Sequence, residues 1–407
     1  MASRLALPLA HLLFLLVNIV FFAHPTFLGH QSMPRFAHML ADGMLARGHE
    51  VAMWAPQARL VNLPAPRTLK KWLGYLDQYV LFPIEVRKRL RKCPVGTLFV
   101  FTDQALGPWV PLLTKQARVV HCHDFLAQRS VLGEIPENPG SWTGYQYQAY
   151  IRRGYAQGQH FISVSKRTEA DLLRFLPTAP ISSEVVYNGL NQNFEPQDVS
   201  LSRQHLGQHT SLNLTTGYLL HVGGNHFYKN RGGVIELYNA WRAQSKSALP
   251  LLLVGDAPTA ELTAVHSNSP YKADIHFLKC MSDELVRVAY AGASVFLFPS
   301  LAEGFGWPIA EAMASGCPVI TTNEAPMTEV AGTAGFLIPR RPSDTLGATA
   351  WAGEAAATVE RIMQLSEPER QTIVEAGLLN AKRFNTDEAL NQIEKIYARV
   401  LAANSQA

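Results

Sequence analysis

Ser300-Leu-Ala-Glu303-Gly-Phe-Gly-Trp307-Pro-Ile-Ala-Glu311-Ala-Met-Ala-Ser-Gly316-Cys-Pro-Val-Ile320 is the stretch whose reading decides the fold. It follows the apolar run Val295-Phe-Leu-Phe-Pro299, which reads as a strand buried on both faces and ended by Pro299, Ser300, Gly304 and Gly306. Pro308 suits the first turn of a helix, where a missing N–H costs nothing. Ile309, Ala310, Met313 and Ala314 then carry the helix to a stop at Gly316. The loop therefore feeds its backbone N–H groups into a helix N-terminus, where unpaired donors and the helix dipole attract phosphate. Glu303 lies before the turn and Glu311 about one helical turn inside, eight residues later. Carboxylates accept hydrogen bonds from vicinal hydroxyls at about 1.5–3 kcal/mol each, so one can hold a hexose and the other a ribose.

Working outward, apolar strand patterns alternate with helical ones on both sides of this stretch, which predicts a doubly wound parallel sheet in each half. Segments 17–23, 50–55, 97–101, 119–122, 160–164 and 184–187 are the strand candidates of the first half. Segments 218–222, 251–254, 275–278, 295–298 and 319–321 are those of the second. The polar segment 188–216 between them reads as an interdomain linker. The expected domains are 1–200, 214–385 and a last amphipathic helix within 386–407, with 1–16 as an apolar lead-in, membrane-touching or poorly ordered, too short to span a bilayer.

The 407 residues are too many for one core and fit two domains, and 47% apolar with 17% charged residues is a globular composition. Cys93, Cys122, Cys280 and Cys317 have no C-x-x-C spacing, which excludes a zinc ribbon and suits a reducing, cytoplasmic compartment. A net charge of +4 without a basic stripe gives no reason to expect nucleic acid. The aromatic and basic segments Lys70-Lys-Trp-Leu-Gly-Tyr-Leu-Asp-Gln-Tyr79 and Arg87-Lys-Arg-Leu-Arg-Lys92 would suit peripheral contact with an anionic membrane.

A second constellation is Gly223-Gly224-Asn225-His226-Phe227-Tyr228-Lys229-Asn230-Arg231-Gly232-Gly233, a glycine-rich loop after a strand. Its glycines permit close backbone approach, and Lys229 and Arg231 offer fixed positive charge to a diphosphate. The phosphate loop G-x-x-x-x-G-K-[ST] is absent, as is G-x-G-x-x-G after the first strand. His121 and His123 share a strand face but have no further ligands at metal spacing, and the chain has no D-x-D pair, so no metal cofactor is expected.

The stretch 300–320 resembles the E-x7-E hallmark of retaining glycosyltransferases of the GT-B fold, family 4. His123-Asp124, Ser163-Val-Ser165, Val186-Tyr-Asn188-Gly189, His221-Val-Gly223-Gly224, Leu253-Val254-Gly255 and Glu329-Val-Ala-Gly332 follow in the family's order. The resemblance implies an α/β protein of two Rossmann-like domains facing each other across a cleft. It implies transfer of a mannose- or glucose-type hexose from a nucleotide diphosphate sugar to a sugar or lipid-linked acceptor. By resemblance Glu303, His123, Lys229 and Arg231 serve the reaction, with Arg231 standing in for an arginine the family carries where Gly224 and Asn225 are found. Glu311, Gly304, Phe305, Gly306, Trp307, Gly223, Gly224 and Leu278 would bind the donor, and Gly29 and His30 would face the acceptor. A non-catalytic sugar-nucleotide binder and a GT-B epimerase are the alternatives.

Overall fold

The computed structural model describes residues 16–29, 32–190 and 193–405. The first sheet holds β1 (Asn18–Phe22), β2 (Glu50–Trp54), β3 (Leu98–Phe101), β4 (Arg118–Cys122), β5 (His160–Ser163) and β6 (Ser182–Val185). Their order is β2-β1-β3-β4-β5-β6, all parallel. The second sheet holds β7 (Leu219–Val222), β8 (Leu251–Val254), β9 (Ile275–Leu278), β10 (Val295–Phe298), β11 (Val319–Thr322) and β12 (Phe336–Ile338). Its order is β12-β11-β10-β7-β8-β9, again all parallel. Strands such as Leu98–Phe101 and Val295–Phe298 are buried throughout because helices cover both faces, which is why they read as unbroken apolar runs.

In each sheet the chain leaves its first strand to one side and later returns to the other. The reversal falls between β1 and β3 in the first sheet and between β7 and β10 in the second. Ligands of open parallel sheets bind outside the carboxyl ends of the strands at such a reversal. The loops after β1, β3 and β4 and those after β7 and β10 therefore form the two walls of the cleft.

Two elements depart from the sequence reading. Val199–Thr210 is a helix where polar composition predicts only a connector. Asp198 caps it at 2.8 Å through the Leu201 N–H, Leu206 is buried, and Arg203 Nε donates to the Gly292 carbonyl at 2.9 Å, so it packs with the second domain. The short edge strand β12 has no counterpart in the sequence reading, because three residues carry no period. The last helix, Thr386–Ser405, returns to the first domain. Its Leu390, Ile393, Ile396, Tyr397 and Val400 join Ile19, Phe21, Phe36 and Leu40 in one core. Burying an apolar side chain stabilises by about 1.5–3 kcal/mol, so this seam ties the first domain to the end of the chain. The Tyr397 hydroxyl also meets His121 Nε2 at 2.8 Å. No helix among the described residues is long and apolar enough to cross a membrane. The lead-in, residues 1–15, lies outside them.

Candidate active site

The second-domain wall is centred on one ion pair. Lys229 Nζ donates to Glu303 Oε1 at 2.8 Å, with side-chain exposures of 14% and 8%. Lys229 comes from the turn Phe227–Lys229 after β7 and Glu303 from the loop after β10, and the Leu301 N–H to Tyr228 carbonyl bond at 2.8 Å ties the two loops together. The ammonium lies 4.9 Å from the Phe298 ring and 5.4 Å from the Tyr228 ring, so apolar and aromatic surface shields the pair from water. A charge pair in such surroundings is far stronger than one at the surface, and it leaves the lysine two further protons to donate.

Beyond Glu303 the chain passes Gly304 and Phe305 to Gly306, whose φ of 105° only glycine adopts without strain, and enters the helix Trp307–Ala314. Among the described residues no group accepts the backbone N–H groups of Glu303, Gly304, Phe305 or Gly306, so they are available to an anion. Glu311 lies inside this helix and accepts the Tyr290 hydroxyl at 2.9 Å. Burial pushes its carboxyl up to about 7, against the pull of Tyr290 and Lys229.

The first-domain wall is a cluster of buried titratable groups. His123 follows β4, and its Nε2–H donates to the Thr102 carbonyl at 2.9 Å, which fixes the ring against Phe36 with centroids 4.3 Å apart. Burial lowers its pKa, so the imidazole is neutral at physiological pH. His24, after β1, meets Asp103, after β3, at 2.8 Å. Burial opposes ionisation of Asp103, but the hydrogen bond and charge of His24 hold its carboxyl below the usual range. Asp124 accepts the Leu126 N–H at 3.0 Å, and burial, with the neighbouring charges of Asp103 and Glu303, pushes it up to about 6. His24, Asp103 and Asp124 are cleft residues to which the sequence reading gives no role.

The two walls touch. The Gly304 carbonyl accepts Ser165 Oγ at 2.7 Å and Thr168 Oγ1 at 3.1 Å, and Thr168 Oγ1 also reaches the His123 carbonyl at 3.1 Å. A Cβ on Gly304 would stand 2.0 Å from that carbonyl, so only glycine fits. The Glu329 carboxylate accepts the Lys166 and Arg167 N–H groups at 2.8 and 2.9 Å, capping the helix Lys166–Phe175 across the domain boundary. At the cleft mouth Arg35 pairs with Asp283 at 3.4 Å.

The other expected site residues have the following surroundings. Arg231 is buried away from the ion pair, donating to Asn225 Oδ1 at 2.5 Å and to the Asp256 carbonyl at 3.0 Å, over the Phe277 ring. Asn230, between Lys229 and Arg231, takes a left-handed turn with φ 52°, and the two cations take different partners on either side of it. Phe305 is a core residue against Tyr187 and Phe384. Trp307 donates Nε1–H to the Gly189 carbonyl at 3.1 Å and so ties the domains rather than lining the cleft. Gly223 and Gly224 pack the β7 loop against Gly255 and Asp256, since a Cβ on Gly255 would meet the Gly223 carbonyl at 2.2 Å and one on Gly224 would meet Asp256 at 2.6 Å. Leu278 is half-buried at the end of β9, and its carbonyl accepts the Gly255 N–H at 3.1 Å. Gly29 takes φ 70° with open space around it, and His30 lies outside the described residues.

Residues 33–194 match the family model described as Glycosyltransferase Family 4, and residues 216–352 the model described as Glycosyl transferases group 1. An O-antigen chain mannosyltransferase B of Escherichia coli is 29% identical over 44% of this chain, a match that spans 45% of that protein. A phosphatidyl-myo-inositol mannosyltransferase of Mycobacterium leprae is 24% identical over 90% of this chain and 92% of its own length. The crystal structure of Anabaena HepE in complex with UDP and glucose superposes with a TM-score of 0.67 over 93% of this chain and 98% of that one, at 17% identity. Two family models that between them take in most of the chain, on two facing parallel sheets, place this protein among the group 1, family 4 glycosyltransferases of the GT-B fold.

Proposed function

We propose that the protein moves a hexose of mannose type from a nucleoside diphosphate donor to an acceptor hydroxyl in the synthesis of a glycan or glycolipid, with retention of the anomeric configuration and without a metal. The observation that carries this reading is the shielded Lys229–Glu303 pair beside the N-terminus of the helix Trp307–Ala314. As the bond from C1 to the diphosphate breaks, negative charge grows on the leaving oxygen. Lys229 and the Gly304–Gly306 N–H groups are placed to meet it, and preorganised groups of this kind act most strongly where water is excluded. Glu303 holds the sugar, whose ring gains positive charge, with neutral His123 opposite. Glu311 takes the ribose hydroxyls, and the base lies against Leu278 to Met281. The acceptor enters along the first-domain wall past Gly29 and attacks from the face the diphosphate leaves. Its proton passes to the departing phosphate oxygen, so no side-chain base is assigned. Arg231 braces the loop that carries Lys229 through Asn225 and the Asp256 carbonyl.

The mannose assignment draws on the mannosyltransferases to which the chain is similar, and the nucleotide on the UDP and glucose held by a protein of the same fold. The test is release of nucleoside diphosphate from GDP-mannose, UDP-glucose and ADP-glucose, followed by NMR of the product's anomeric proton. Turnover of a mannose donor with retention supports the reading. Inversion, or no turnover of any donor, overturns it.

A further inference from the structure

The helical run Arg67–Leu76, Asp77–Leu81 and Phe82–Leu90 has two opposite stripes. The inward stripe is firmly held. The Asp77 carboxylate accepts the N–H groups of Arg59, Leu60 and Val61 at 3.2, 2.9 and 3.0 Å, and Trp109 Nε1–H reaches the Gln78 carbonyl at 3.0 Å. Phe82 and Val86 continue that stripe into the first-domain core.

The outward stripe is Leu69, Trp72, Leu76, Val80 and Ile84, each 43–65% exposed. One step of three residues followed by steps of four keeps these five side chains within an arc of about 120° on an ideal α-helix, so they share one face. The π turn Asp77–Leu81 lies inside the run and turns Asp77 and Gln78 to the interior, opposite this stripe. One helical turn further the same face becomes basic, with Arg87, Lys88 and Arg91 exposed. Lys70 and Lys71 flank the other end. The acids of the run are withdrawn, Asp77 into the interior and Glu85 into its pairs with Arg59 and Arg89.

We propose that this face docks the protein on an anionic lipid bilayer, with the five apolar side chains entering the headgroup boundary and the cations meeting lipid phosphates. A linear apolar stripe on a helix lying flat, ending in cations and lacking free acids, is the chemistry of an interfacial helix. The run also adjoins the acceptor side of the cleft, because Phe27 of the loop after β1 lies 3.4 Å from where a Cβ on Gly74 would stand. Combined with the transferase reading, the docking delivers a membrane-borne acceptor to the first-domain wall.

The test needs neither donor nor acceptor, so it can fail or succeed independently of the catalytic reading. Full-length protein is sedimented with vesicles of phosphatidylglycerol mixed with phosphatidylcholine, and with phosphatidylcholine alone. Binding should favour the anionic vesicles by roughly tenfold or more and weaken as salt is raised. Trp72→Glu with Ile84→Glu should reduce binding by roughly tenfold or more while donor hydrolysis in solution stays unchanged. Lys88→Glu with Arg91→Glu gives a second probe that leaves the apolar stripe intact, and it should weaken anionic binding alone. Wild type that ignores anionic vesicles, or variants that bind like wild type, would overturn the proposal. A dimer that the Trp72 and Ile84 changes split, without vesicle binding, would assign the face to a second copy and overturn it too.

Discussion

The two walls of the cleft do related work by opposite means. On the second-domain wall, charge is paired and held by short contiguous loops: Lys229 and Glu303 meet at 2.8 Å beside a helix terminus. On the first-domain wall, His24, Asp103, His123 and Asp124 come from the ends of three strands, and burial holds the imidazole of His123 neutral and the carboxyl of Asp124 partly protonated. One wall presents a cation beside a helix terminus, and the other combines a neutral imidazole, an ionised Asp103 paired with His24 and a carboxyl whose pKa is raised to about 6.

The sharpest way to break this contrast is to remove the cation. Lys229→Ala should lower kcat/KM by roughly 10²–10³, and activity at the wild-type level in that variant would show that the diphosphate is stabilised elsewhere. Glu311→Gln probes the buried acid beside it. Its carboxyl lies at about 7 in the folded protein against 4.5 in the free side chain, a displacement worth up to about 3 kcal/mol. A raised folded pKa means that wild type loses stability as pH climbs from about 4.5 to about 7. The glutamine variant should therefore unfold at a higher temperature than wild type at pH 8, with the gap closing near pH 4. Nucleoside diphosphate binding should rise between pH 6 and 8 in wild type more steeply than in the variant. Parallel profiles would remove Glu311 from the donor site.

A smaller effect is expected where the walls join. Glu329→Gln keeps the size of the cap but removes its charge from the Lys166 and Arg167 N–H groups, and about 1.4 kcal/mol of lost closure would raise KM roughly tenfold with kcat nearly kept. A kcat loss alone would place Glu329 in the chemistry instead. The smallest expected effect is none: turnover should survive excess EDTA, since Lys229 and helix N–H groups carry the charge that a metal would otherwise supply. Loss of activity restored by Mg²⁺ or Mn²⁺ would contradict that.

The difference between the walls also explains what could be read from the sequence. The fold and the second-domain wall were legible because strand, glycine turn and helix follow one another within 300–320, and because Lys229 lies on a single loop. The His24–Asp103 pair bridges 79 positions, and no spacing rule joins two strand ends that only the β1–β3 pairing brings together. The Asn225 and Asp256 partners of Arg231 were not legible, since a positive φ at Asn230 cannot be seen in a pattern of charges. That the Phe305 ring fills the core was not legible, because the motif does not separate the places of backbone and side chain. In the helices 67–90 the basic and aromatic residues were visible, but the π turn at Asp77–Leu81 was not.

Calorimetric titration with GDP and UDP tests the division of labour between the two acids most directly, because a free nucleoside diphosphate lacks the sugar. Glu303→Gln should bind the preferred nucleotide nearly as well as wild type and show its loss in kcat, whereas Glu311→Gln should bind it about 10–100-fold more weakly. The reverse order of affinities would contradict both assignments.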